Sequence, residues 1–149
     1  MKQYGGDCQR RSIRKIIMKT KKIVIERDSV CMGDDCMSHE KSLNLDKDMT
    51  IMDLFEYLIE YVPTMNNVIW AVRSDKGVCG YIITDENGKV SIELIGEDQF
   101  IMNTELHDIM CVYYYPSRFS WIDGETGERV HKYSESLSFL EKVKKDNQI

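Results

Sequence analysis

The ten residues Cys31-Met32-Gly33-Asp34-Asp35-Cys36-Met37-Ser38-His39-Glu40 concentrate two thiols, one imidazole and three carboxylates. Metal binding is the first chemistry this set allows. Cys31, Cys36 and His39 suit Zn²⁺, which prefers thiolate and imidazole ligands. A fourth ligand would come from Asp34, Asp35, His107 or Cys111. The spacing is not a zinc-finger pattern, and there is no second C-x2-C pair to complete a tetrahedron. Thiol catalysis is the second chemistry. Cys31 or Cys36 would be the nucleophile and His39 its base, oriented by Asp35 or Glu40. Nearby carboxylates raise a thiol pKa, however, and so disfavour the reactive thiolate. The plainer reading is a polar hairpin loop. In it Cys31 ends a strand, Gly33 makes the turn and Cys36 packs inward.

Other chemical patterns are weaker. Asn44-x-Asp46-x-Asp48 alternates oxygen ligands, but Met49 stands where a calcium loop needs glycine and Phe55 where it needs glutamate. That run reads as the end of a strand entering a helix. Glycine-rich dinucleotide and phosphate loops, the Gly-x-Ser-x-Gly elbow and the His-Glu-x-x-His zinc motif do not occur. His107-x3-Cys111 could bring two ligands together, but Cys111 falls in an apolar strand and reads as core. Tyr113-Tyr114-Tyr115 and Arg118-Phe119-Ser120-Trp121 offer aromatic rings, half of which must face away from any one layer.

The charge is uneven. Residues 1–22 hold eight Lys/Arg and one acidic residue, Asp7. The other 127 residues hold 12 basic and 24 acidic residues, a net of −12. So acidic a body repels nucleic acid and favours basic partners. Any contact with nucleic acid is expected only through the basic N-terminal segment. Met18-Lys19-Thr20-Lys21-Lys22 reads as an alternative start running into a first strand, with residues 1–20 a basic extension outside the fold. The five cysteines are an odd count and no secretory signal is read. Reduced thiols and a cytoplasmic location are therefore expected. No apolar run approaches the ~20 residues a bilayer span needs, so no membrane partner is expected.

Residues 21–149 are read as one α+β domain. Strands are expected at 21–30 and 41–46, followed by a helix. Ile51, Leu54, Phe55, Leu58 and Val62 make its single apolar face. Thr50 and Asp53 have capping-box spacing, and Pro63 stops the helix. Glu56 and Glu60 fall on its solvent side. A meander over 67–74, 78–84 and 89–95 follows, with Asn87-Gly88 as a hairpin turn. Residues 96–108 fit either a short helix or an irregular cover. A strand at 109–115, a hairpin of 119–122 and 129–133 and a helix at 136–145 complete the chain. The expected sheet is mixed or antiparallel and packs on one main helix.

The β-β-α-β order over residues 21–72, with the helix opened by Asp48-Met49-Thr50-Ile51-Met52-Asp53-Leu54, resembles a β-grasp (ubiquitin-like) domain. The long reactive loop between the first two strands and the extended C-terminal half depart from that family. No C-terminal Gly-Gly is present, so the resemblance does not imply conjugation. The run Arg27-Asp28-Ser29-Val30-Cys31-Met32-Gly33-Asp34-Asp35 is also similar to runs in short bacterial and phage-type proteins, a resemblance that carries no activity.

The function expected is a non-enzymatic, acidic protein-interaction domain. One concrete form is an inhibitor or immunity-type protein that covers a basic site with Asp34, Asp35, Glu40, Glu56 and Glu60. No resident cofactor is expected on this reading. The alternatives are a zinc-binding or thiol-dependent protein using Cys31, Cys36 and His39, and a structural component of a phage or mobile element.

Overall fold

Ile23 and Ile25 are fully buried, whereas Val24 and Glu26 are only half-buried. That two-residue period defines strand β1, Thr20–Arg27, and gives it one face toward a core. The computed structural model describes residues 20–30 and 38–148. The chain continues through β2 (Lys41–Asp46), α1 (Ile51–Tyr61), β3 (Val68–Ser74), β4 (Gly77–Thr84) and β5 (Val90–Leu94). It then forms β6 (Asp108–Tyr114), a small hairpin of β7 (Ser120–Ile122) and β8 (Arg129–His131), and α2 (Phe139–Asp146). The fold is α+β, as the residue patterns imply.

Six strands form one mixed sheet in the order β2-β1-β6-β3-β4-β5. β1 and β6 run parallel, with Val24 opposite Asp108 and Arg27 opposite Cys111. The other neighbours are antiparallel. Helix α1 crosses one face and buries Ile51, Leu54, Phe55 and Leu58. Each such burial stabilises the fold by about 1.5–3 kcal/mol relative to an exposed side chain. These residues pack with Ile23, Ile25, Trp70, Val72, Ile109 and Cys111. Gly80 of β4 leaves the space that the Phe55 ring fills: a Cβ there would lie 2.9 Å from Phe55 Cζ and 2.7 Å from the Glu93 carbonyl oxygen.

The sheet's other face carries a second core. Ile69, Ala71, Tyr81, Tyr114, Phe119 and Val143 are buried together there. Helix α2 supplies Val143, so the centre of the sheet is packed on both sides, not on one main helix alone. This explains the five consecutive buried residues Val68–Val72: both faces of β3 are covered. Asp146 ties α2 down, accepting hydrogen bonds from Tyr114 Oη at 2.8 Å, Tyr133 Oη at 2.9 Å and Lys132 Nζ at 2.5 Å.

Several element ends move from their expected places for identifiable reasons. β1 stops at Arg27, not at residue 30, because the Asp28 side chain accepts the Tyr113 backbone N–H at 2.8 Å. The last helix begins at Phe139, not 136, because Ser138 and Glu141 form a reciprocal capping box. Phe119 lies in a 3-10 turn, Pro116–Phe119, before β7. Helix α1 ends at Tyr61, since Val62 takes the extended backbone required before Pro63. The Asn87-Gly88 turn forms as expected. Gly88 has φ +87°, and Asp85 Oδ1 accepts the Asn87 and Lys89 N–H groups at 2.8 and 2.9 Å.

Of residues 96–108, Asp108 opens β6 and the rest are an irregular cover built around a 3-10 turn, Ile101–Asn103. This segment caps α1. The Gln99 carbonyl accepts from Ile51 N at 2.9 Å, and Asp98 Oδ1 accepts from Met52 N at 2.9 Å. Thr50 Oγ1 accepts from Asp53 N at 3.2 Å. Three N–H groups with no partner inside the helix are thus satisfied, two of them from 46 or more residues away.

Candidate functional site

The return end of the reactive loop is pinned by one carboxylate of β1. Glu26 Oε1 accepts the His39 backbone N–H at 3.0 Å, and Glu26 Oε2 accepts from Ser38 Oγ at 3.1 Å. Tyr61, at the end of α1, donates its hydroxyl to the His39 carbonyl. Burial, with help from the Glu26 charge, pushes the Tyr61 phenol up to about 12, so it remains a donor at neutral pH. The His39 ring is half-buried, with Nε2 3.3 Å from Ser29 Oγ. Arg27, Ser38, His39, Glu40, Lys41 and Tyr61 line a polar hollow of about 350 Å³ beside it.

The remaining loop residues singled out for chemistry, Cys31, Asp34, Asp35 and Cys36, lie outside the described residues. Among the described residues, no three His, Cys, Asp or Glu side chains are grouped to hold a metal ion. The two distant ligands named with His39 lie in different surroundings. Cys111 is fully buried under α1, and burial pushes its thiol up to about 12. His107 is exposed, and its carbonyl accepts from Val24 N, placing it at the far end of the β1–β6 pairing from Arg27. Asn44 and Asp46 pair with Lys22 and Thr20 across the β1–β2 ladder, which is the strand-end role read for them.

Glu40, Glu56 and Glu60 are all exposed. Glu40 borders two hollows, one of them shared with Tyr61 at the end of α1. Glu56 and Glu60 lie on the outer side of α1, whereas Glu40 also borders a groove on the opposite face of the sheet.

That groove, of about 470 Å³, runs over the part of the face that α2 leaves uncovered. Val24 of β1 with Met110 and Val112 of β6 make its floor, all half-buried. Glu26, Glu40, Asp75 and Asp108 stand around it. Glu40, Asp75 and Asp108 are exposed and make no ion pair among the described residues. Arg73 is the cation of the lining, and its Nη1 is turned to Asn147 Oδ1 at 2.5 Å. Of these residues, the sequence alone singled out only Glu40. Alternation in β1 does place Val24 and Glu26 on the face opposite Ile23 and Ile25. That Met110, Val112 and Asp108 come alongside them depends on the parallel β1–β6 pairing, which leaves no local mark.

Among the described residues, no helix is long and apolar enough to cross a membrane. No protein family, curated protein or solved structure matches this chain.

Proposed function

We propose that this chain is a non-enzymatic interaction domain whose acidic surface binds a basic protein. An inhibitor or immunity-type protein that covers a nuclease or other nucleic-acid-binding surface is its most concrete form, with carboxylates standing in for phosphates. The observation that carries this reading is the placement of the charge. Residues 23–149 have a net charge of −12. Glu40, Asp75 and Asp108 of that excess stand around an apolar groove without a cationic partner among the described residues.

A β-grasp-like core belongs to the same proposal. Its support is the order β2-β1-β6-β3 with β1 and β6 parallel, together with α1 placed between β2 and β3 in the chain and packed across β1, β3 and β6.

Capture from lysate of the native host tests the reading. A basic protein should be retained at about 50 mM salt and released at about 500 mM, since screening shortens the reach of exposed charges. Reversing Glu40, Glu56 and Glu60 to lysine should weaken that capture. Retention of no basic protein at low salt would overturn the proposal.

A further inference from the structure

We infer that the groove over β1 and β6 is the seat of the basic partner, and that its occupant is a lysine-rich segment of that protein. The inference rests on the basic-partner reading and adds to it a place and a side-chain chemistry. The floor is apolar, formed by Val24, Met110 and Val112, while the exposed carboxylates of Glu40, Asp75 and Asp108 rise at its border. Lysine is the complement of that combination. Its four-carbon stem packs on apolar surface while the ammonium reaches for a carboxylate or water. Met110 adds a floor that adapts to differently placed stems. Arg73 brings one positive charge to a lining with four carboxylates, Glu26, Glu40, Asp75 and Asp108, and its Nη1 is directed to Asn147 Oδ1, so the groove stays net acidic. Val143 of α2 and Phe119 cover another part of this face, and the groove is a portion that the described residues leave open.

The outer side of α1 is the competing location. It presents Glu56 and Glu60 beside the half-buried Tyr57 and Ile59, but the chain's own Lys41 already lies over the Tyr57 ring, 6.0 Å from its centroid. A lysine of the chain itself thus occupies that apolar surface, whereas the groove floor carries none among the described residues.

The test uses the full chain and short peptides, with affinity read by fluorescence anisotropy at low salt. Oligolysine should bind. Asp75→Asn with Asp108→Asn should weaken it about fivefold, and Glu56→Gln with Glu60→Gln less than about twofold, the range expected for a few exposed ion pairs. An oligomer of diaminobutyrate keeps the ammonium but halves the stem, and should bind more weakly than oligolysine. Unchanged circular dichroism would show that the exposed substitutions leave the fold intact. Equal binding of the two peptides, or equal loss from both pairs of substitutions, would mean diffuse attraction and would overturn the groove while leaving the basic-partner reading standing. Failure of oligolysine to bind, with salt-sensitive capture of a basic protein retained, would do the same. Failure of both would overturn both. If removing residues 1–17 creates the affinity, the chain's own basic segment is the occupant and the inference of an external one fails.

Discussion

Asp28 completes the sheet for Tyr113, 85 residues away: its Oδ2 accepts the Tyr113 backbone N–H at 2.8 Å, while its own N–H donates to the Cys111 carbonyl at 3.0 Å. A side-chain oxygen thereby replaces the backbone carbonyl that the next residue of β1 would have offered. The strand ends there and the chain is free to leave for the reactive loop. Asp28→Ala should lower stability by about 1–2 kcal/mol, the cost of stranding a half-buried donor. Asp28→Asn retains an acceptor and should recover most of the loss. Urea denaturation of the two variants checks this.

The cap on α1 is supplied from outside the helix. Asp98→Ala removes the acceptor for Met52 N and should cost about 1 kcal/mol, as loss of a helix cap does. The Met52 amide should also exchange faster with solvent. Hydrogen exchange read by NMR separates this local effect from global unfolding.

Gly80 is a packing glycine. Its backbone φ is not left-handed, so the penalty for a side chain is purely steric. Gly80→Ala would press a methyl against the Phe55 ring and the Glu93 carbonyl, and should destabilise by about 1–3 kcal/mol. The double variant with Phe55→Leu should lose less than the sum of the two single losses. Thermal denaturation of all three proteins tests the coupling.

Asp146 should give the fold an acid-sensitive clamp. Burial acts to raise its carboxyl, but hydrogen bonds from Lys132, Tyr114 and Tyr133 outweigh burial and hold it below the ordinary carboxylate range. A depressed folded-state pKa contributes stability that is complete above the unfolded value, ~3.9. That contribution disappears as pH falls through the folded value. Stability should therefore drop below about pH 4, with α2 loosening, and Asp146→Asn should flatten this part of the profile. Denaturation midpoints between neutral pH and acid provide the measurement.

Cys111 should be chemically silent. It is fully buried and its thiol is pushed up to about 12. Iodoacetamide at neutral pH should leave it unlabelled in the native protein and label it after denaturation, as peptide mapping would show. Labelling of Cys111 in the native state would mean that the core opens between α1 and β6.

Much of the architecture was legible because local periodicity carries it. Ile23 and Ile25 mark β1, the face of Ile51, Leu54, Phe55 and Leu58 marks α1, and Asn87-Gly88 marks the hairpin of β4 and β5. The Thr50–Asp53 capping box could be read directly and is present. Residues 96–108 were not legible, because Asp98 and Gln99 find their partners in α1 and not in their own neighbourhood. The reactive loop drew notice by its residue types, yet the residues that anchor its return, Glu26 and Tyr61, are identified only by distant contacts.

The sequence by itself determined the class of the fold, most of its elements and the uneven charge, basic over residues 1–22 and acidic beyond. These depend on residues a few positions apart and on simple counts. Tertiary structure alone decided that β6 lies between β1 and β3, parallel to the first and antiparallel to the second, that α2 covers part of the second face, and that Val24, Met110, Val112, Glu40, Asp75 and Asp108 therefore meet around one groove. The physical reason is that strand pairing is a long-range choice, won by the burial of apolar faces far apart in the chain. The short range of sequence patterns does not contain it.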